Sequence, residues 1–221
     1  MKRPAACRFD LDGLLLDTEP HHASAWSQAA AHFGLLLPPA QLLGLRGRRR
    51  SDNVDQVRHW IAGAGLAVPS AAELLAVQQP IAIRLLKGAA PMPGARELLE
   101  RLRDLEVGMV LVTSSGRDAV ERKCAPHPWL EIISERVLGD DPELVAGKPA
   151  PDPLLLAAQR LGVAPGTCWA FEDSLAGAQS ARAAGCVVHV VPGTALPAAA
   201  LQELQATADT MLGSLEDLRL D

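Results

Sequence analysis

The chain has 221 residues, 48% of them hydrophobic and 21% charged, with a formal net charge of −5. That length holds one good-sized core plus a smaller module, and the composition is ordinary for a soluble globular enzyme. The acidic balance argues against nucleic acid or an anionic membrane as a bulk partner, and no uncharged apolar run of roughly 18 residues exists to suggest a membrane span.

The charged start Met1-Lys2-Arg3-Pro4, followed by an apolar stretch cut at Arg8, Asp10 and Asp12, does not resemble a secretory leader. Cys7, Cys124, Cys168 and Cys186 show neither CxxC spacing nor the density of a disulfide scaffold, so a cytoplasmic protein is expected. Residues 5–9 are a short strand-like run that ends on Asp10. From Thr18 to about Lys87 the pattern is helical, with Trp26, Ala29, Ala30 and Phe33 on one face and Val54, Val57, Trp60 and Ile61 on another. Thr18 and Glu19 before Pro20 mark a helix start, and Pro38-Pro39 and Val68-Pro69-Ser70 divide the block into three or four pieces.

After Met92-Pro93-Gly94 helices and buried strands alternate. A helix is expected over 95–106, with Leu98, Leu99, Leu102 and Leu105 on one face, then a continuous apolar strand over 107–112. A helix starts near Asp118, and Ile132-Ile133 and Val137-Leu138 flank a short strand region. Helix 152–161, strand 168–171, helix 175–184, strand 187–191 and two short closing helices complete the chain. This order implies an α/β fold, a Rossmann-like parallel sheet with helices on both faces. Residues 1–18 and 88–221 would form that core, and 19–87 an all-helical cap inserted after the first strand.

Four stations then fall at one edge of this expected sheet, that of the strands' carboxyl ends, where open parallel sheets bind ligands. The first is Phe9-Asp10-Leu11-Asp12-Gly13, whose two carboxylates both reach the sheet edge. One could bind a metal and attack while the other moves protons; a polar strand exit is the plainer alternative. In Val112-Thr113-Ser114-Ser115-Gly116, hydroxyls and free N–H groups opening a helix suit a phosphate, although Ser115 or Gly116 could simply cap that helix. Lys148, held in Gly147-Lys148-Pro149-Ala150-Pro151-Asp152-Pro153, is less mobile than a solvated loop lysine and suits neutralising a phosphoryl group. Finally, Phe171-Glu172-Asp173-Ser174 sets adjacent carboxylates at a strand end, which is costly without a cation. Hard oxygen donors of this kind suit Mg²⁺, the alternative being Asp173 or Ser174 as a helix cap.

FDLDGLLLDTE, VTSSG, GKPAPD and FEDS, in this order with a helical insert after the first, resemble the haloacid dehalogenase superfamily over essentially the whole chain. The DGLLLDTE, MPGA and TSSG stretches and residues 137–143 are most similar to its pseudouridine-5′-phosphatase branch, with β-phosphoglucomutase-like enzymes as near relatives. The resemblance implies phosphate-ester chemistry, because the Asp at position 12 marks the phosphotransferases. It implies an aspartyl-phosphate on Asp10, with Asp12 protonating the leaving oxygen and then activating water. Thr113 and the backbone at Ser114 would hold the phosphate, and Lys148 would balance charge on the phosphoryl group and Asp10. Mg²⁺ would bind the Asp10 side chain, the Asp12 main-chain carbonyl and Asp173, with Glu172 nearby.

The insert would then be a mobile cap that excludes water and selects the substrate. Among Arg46, Arg48, Arg49 and Arg50, the pattern Gly47-x-x-Arg50 resembles mutase-like caps and points to Arg50 as a substrate contact, while Arg48 and Arg49 read as a solvated helix start. His22 and Trp26 fall where such enzymes place a hinge histidine and its neighbour, and Lys87 is a weaker candidate. The expected ligand is a small phosphorylated metabolite and the expected state a monomer or weak homo-oligomer. A sugar-phosphate mutase is an alternative, opposed by Gly116-Arg117 where the mutase resemblance would require Lys-Asn. A non-catalytic phospho-ligand binder is the other, opposed by the presence of all four key residues.

Overall fold

Short apolar runs flanked by turn residues become strands here, and helices cover both faces of the sheet they build. The computed structural model describes residues 3–193 and 196–220, so Met1 and Lys2 of the charged start lie outside the described residues. The strands are β1 (Ala6–Phe9), β2 (Gly108–Val112), β3 (Glu135–Val137), β4 (Cys168–Glu172), β5 (Val187–Val190) and β6 (Thr210–Met211). All pair in parallel, in the order β3-β2-β1-β4-β5-β6. The chain builds outward from β1 to β3, then returns to the other side of β1 for β4. The crevice between β1 and β4 is therefore the topological switch point.

Strand alternation sorts side chains into two cores. Cys7, Phe9, Leu111, Trp169 and Phe171 pack with Leu98, Leu99 and Leu102 of α5 (Ala95–Asp104). On the opposite face Val110, Val112, Ala170, Val188 and Val190 meet Leu154 and Ala157 of α7 (Asp152–Leu161) and Ala178 and Ala181 of α8 (Leu175–Ala183). Arg8 is buried among these strands, its Nη1 donating to Cys186 Sγ at 2.7 Å. Cys7, Cys168 and Cys186 are buried thiols, as their strand contexts imply, and all four cysteines are free.

Between β1 and α5 lie α1 (Glu19–His32), α2 (Pro39–Leu43), α3 (Arg50–Gly63) and α4 (Ala71–Leu86). They share a separate apolar cluster of Trp26, Ala29, Ala30, Val54, Val57, Ile61 and Leu74, with Phe33 and Trp60 only partly buried against it. Ser70 and Glu73 form a reciprocal capping box that starts α4 where the Val68-Pro69 break was read. After β2 comes α6 (Arg117–Cys124), and α9 (Ala198–Thr207) follows β5. Among the described residues no helix is long and apolar enough to cross a membrane.

The differences from the sequence reading are at element ends. Helix α5 stops at Asp104, so Leu105 is its C-cap and is 39% exposed rather than on the buried face. The second closing helix is only a 3₁₀ turn, Leu215–Asp217, and the two-residue β6 precedes it. Two residues are too few to show a period in sequence.

His189 on β5 is fully buried, stacked on Phe171 at 4.9 Å and tilted against Trp169 at 4.8 Å. Burial, only partly opposed by Asp209, lowers its pKa from 6.5 to about 4. The unfolded chain therefore binds a proton that the native state refuses, and stability falls as pH drops from 6.5 toward 4. Replacing His189 with Phe is expected to remove about 3 kcal/mol of this acid sensitivity, measured as the loss of unfolding free energy in urea between pH 7 and pH 4. An unchanged difference would show that His189 is not its source.

Candidate active site

Three neighbouring strands deliver three of the four stations to one edge. Asp10 and Asp12 leave β1, Thr113 to Ser115 leave β2, and Glu172 and Asp173 end β4; Lys148 arrives from the loop before α7. Lys148 is buried with Nζ 2.8 Å from Asp10 Oδ1 and 2.7 Å from Glu172 Oε1. Burial disfavours its charge, but Asp10 and then Glu172 outweigh that and hold the ammonium well above its ordinary range. Lys148, expected to balance charge on the phosphoryl group and Asp10, is the counter-ion of Asp10 and also of Glu172.

Asp10, Glu172 and Asp173 offer oxygens that all lie within 4.8 Å of one another. Burial pushes Glu172 up to about 8 and Asp173 up to about 7, with Lys148 and Arg46 respectively opposing. Glu172 Oε2 and Asp173 Oδ1 are buried without a partner among the described residues. Three close carboxylates with orphaned oxygens fit a hard divalent cation, which would supply the charge that Lys148 and Arg46 leave unmatched. Ser174, by contrast, is a helix cap, its Oγ accepting from Gly177 N at 3.1 Å. Gly13, at φ +80°, keeps the turn after Asp12; any β-carbon there would collide with the Asp173 carboxylate and the Glu19 Cγ.

Asp12 stands in a second network. Its Oδ1 accepts from Thr18 Oγ1 at 2.7 Å and contacts His22 Nε2 at 3.1 Å, and its Oδ2 accepts from Ser115 Oγ at 2.9 Å. Lys123 Nζ reaches Oδ1 at 2.6 Å and Oδ2 at 2.5 Å. Burial raises the Asp12 carboxyl, but Lys123 and then His22 outweigh it and hold it well below the usual carboxylate range. Thr18, read as a helix start, is the N-cap of α1, yet its hydroxyl makes no cap bond. It serves Asp12 instead.

The segment between α2 and α3 lies across these stations. Arg46 donates Nε to Glu19 Oε2 at 2.9 Å and Nη2 to Asp173 Oδ2 at 3.0 Å. Ser114 Oγ donates to Gly47 O at 2.8 Å, so only the Ser114 backbone is left for a cradle beside Thr113. Arg49, expected with Arg48 to be a solvated helix start, is the N-cap of α3, but its guanidinium is not solvated. Arg48 lines the cavity, and the Arg49 guanidinium is pressed against Gly147 with two buried nitrogens.

A cavity of about 300 Å³ opens above Asp10 and Asp12, lined also by Thr113, Ser114, His22 and Trp26. Arg48, Arg50, Lys87, Arg122 and Lys123 complete its wall. The structure thus brings together Asp10, Asp12, Thr113, Ser114, Lys148, Glu172 and Asp173, with His22 touching Asp12 and Arg50 on the cavity wall. Lys123 and Arg46 are the partners that sequence reasoning missed. The spacing of Lys123 after the hydroxyl loop, on the turn of α6 that also carries buried Val120, was the only available signal.

Carboxylates, buried lysines and a hydroxyl loop converging at the switch point of a parallel sheet define an α/β enzyme with a site for an anionic ligand. The chain belongs to the haloacid dehalogenase-like hydrolases, whose family model matches residues 4–185. It is 37% identical over 227 residues to a protein named probable pseudouridine-5′-phosphatase from Drosophila melanogaster, covering 99% of this chain and 93% of that one. It is 36% identical to hexitol phosphatase A of Escherichia coli over 95% of this chain and 91% of the relative. Among solved structures, CbbY from Rhodobacter sphaeroides in complex with xylulose-(1,5)bisphosphate superposes with a TM-score of 0.81 at 25% identity, covering 97% of this chain and 96% of that one.

Gly47 holds φ +71°, and a β-carbon there would strike the Ser174 side chain. Substituting Gly47 with Ala therefore strains the backbone by about 1–2 kcal/mol and lifts the segment from the core. A fall of about tenfold in kcat/KM with a melting temperature within a few degrees of wild type is expected; unaltered kinetics would show that this contact does not serve the site.

Proposed function

We propose that the protein is a Mg²⁺-dependent phosphatase for a small phosphate monoester of a sugar, nucleoside or organic acid. Asp10 is the nucleophile and Asp12 the general acid and base. The carrying observation is the division of labour between two carboxylates two residues apart: Asp10 faces Lys148 and the acidic cluster, whereas Asp12 is held by hydroxyl, imidazole and ammonium donors. Full-length likeness to named phosphatases supports the same reading.

In this scheme Asp12, ionised by Lys123 and His22 in the free site, takes up a proton from water as the anionic phosphate enters and offsets those cations. An Asp10 carboxylate oxygen then attacks phosphorus, and the bond to the leaving oxygen breaks as Asp12 gives that oxygen its proton. Water then attacks the aspartyl-phosphate, Asp12 takes the water's proton, and inorganic phosphate leaves Asp10 free. The Thr113 hydroxyl and the Ser114 backbone orient the phosphoryl oxygens, and Lys148 balances their charge. Mg²⁺ would be held by Asp10, Asp173 and the Asp12 main-chain carbonyl with Glu172 beside them, and would supply neutralisation of the phosphoryl oxygens. Residues 19–87 act as the cap over a core of 1–18 and 88–221. Four free cysteines fit a reducing compartment, the cytoplasm.

Arg50 favours an anionic substrate at the cavity wall. Partial burial and the neighbouring Arg122 lower its guanidinium's pKa, and an anion between the two would relieve that repulsion. Arg50→Ala is expected to raise KM for hexose phosphates by about tenfold with kcat little changed; an unaltered KM would remove Arg50 from the substrate site.

The defining test is phosphate release from p-nitrophenyl phosphate and a panel including pseudouridine 5′-phosphate and glucose phosphates. Release should need Mg²⁺, stop with EDTA and vanish in Asp10→Asn. Full activity in that variant would overturn the assignment, and interconversion of glucose phosphates without release would replace hydrolysis by mutase chemistry.

A further inference from the structure

Lysines in the last turn of a helix normally extend into water, where they favour the helix dipole. Lys123 does not. It lies in the last turn of α6, yet its side chain is only 2% exposed. An ammonium costs several kcal/mol to bury unless its donors are matched. Here Nζ has three partners for its three N–H donors: Asp12 Oδ1 at 2.6 Å, Asp12 Oδ2 at 2.5 Å and Ser115 Oγ at 2.8 Å. Ser115 Oγ in turn donates to Asp12 Oδ2 at 2.9 Å, closing a ring of lysine, serine and carboxylate. Ser115 stands at the exit of β2 and Asp12 at the exit of β1, so this ring ties the hydroxyl loop to the Asp12 carboxylate.

We infer that Lys123 is a positioning residue for Asp12: it fixes the angle of that carboxylate to the cavity, so that proton transfer to the leaving oxygen occurs from one orientation. The inference rests on the reading of Asp12 as general acid and base. No bond to Lys123 forms or breaks. Asp12 takes up its proton from water when the anionic phosphate enters and offsets the Lys123 charge. That proton moves to the leaving oxygen as the phosphorus–oxygen bond breaks, and one later returns from water to Asp12. Without Lys123 the carboxylate retains Thr18, His22 and Ser115, all of which touch single oxygens. It loses Lys123, which among the described residues is the one donor that reaches both. Because proton transfer contributes roughly 10²–10⁴-fold to such reactions, its mispositioning should cost a measurable part of that factor, and only where the leaving group needs a proton.

Leaving-group dependence is the test. An alkyl phosphate such as glucose 6-phosphate needs its leaving oxygen protonated, whereas p-nitrophenolate leaves without help. For Lys123→Met, kcat/KM on the alkyl ester should fall by about 10–100-fold, with less than about a threefold loss on p-nitrophenyl phosphate. Lys123→Arg should recover part of the alkyl rate, and Asp12→Asn provides the reference for the same signature. A purely structural lysine would lower both esters alike with no recovery in Lys123→Arg, and that result, or full activity of Lys123→Met on both, overturns the inference. Should Lys123→Met fail to fold, the ratio of alkyl to aryl efficiency in folded Lys123→Arg decides the matter: a lowered ratio supports positioning and an unchanged one refutes it. If Asp10→Asn keeps wild-type rates, or Asp12→Asn lacks the leaving-group signature, the reading of the site itself falls. With both as expected, only the role of Lys123 is in question.

Discussion

Three carboxylates forced together at a buried strand end set the terms for everything around them. Like charges about 4 Å apart repel by roughly 4 kcal/mol even at an effective dielectric constant near 20, and Asp10, Glu172 and Asp173 lie within 4.8 Å. Lys148 bridges the first two and Arg46 meets the third. The loop that pins Lys148 and the segment that delivers Arg46 are therefore electrostatic necessities of the site. Two cations face three carboxylates, Arg46 being shared with Glu19 as well, and Glu172 Oε2 and Asp173 Oδ1 have no partner among the described residues.

Asp12, two residues on, escapes this cluster. Its contacts are hydroxyls, an imidazole and an ammonium, so its environment differs from that of Asp10 in sign as well as in geometry. The separation arises from chain path: β1 ends at Phe9, Asp10 turns toward β4 and the loop before α7, and Asp12 turns toward the hydroxyl loop and α6.

Most of the architecture is legible in the sequence because apolar runs and Gly/Pro punctuation report backbone period directly. The strand ends at Phe9 and Val112 and the helix 152–161 follow from such runs, and three of the four site stations were found because strand exits carry chemistry in any open parallel sheet. What local pattern does not encode is long-range pairing. Lys123 meets Asp12 across 111 residues and Arg46 meets Asp173 across 127. Each looks in sequence like a charge on a solvated turn. Thr18 was visible as a helix start, but its hydroxyl's preference for Asp12 over its own helix is a tertiary fact.

The same distinction bears on how an acidic protein gathers an anion. With a net charge of −5, long-range attraction is absent and recruitment must come from charges within a Debye length of the cavity, about 8 Å at physiological salt. Arg48, Arg50, Lys87, Arg122 and Lys123 all line it. Arg48 and Arg50 come from the segment that seats Arg46 on Asp173 and Gly47 against Ser114. Seating that segment thus neutralises a carboxylate and presents cations to the cavity in one movement. Anion recognition is thereby tied to the seating of Arg46 on Asp173 and of Gly47 against Ser114, because the same short segment carries Arg48 and Arg50.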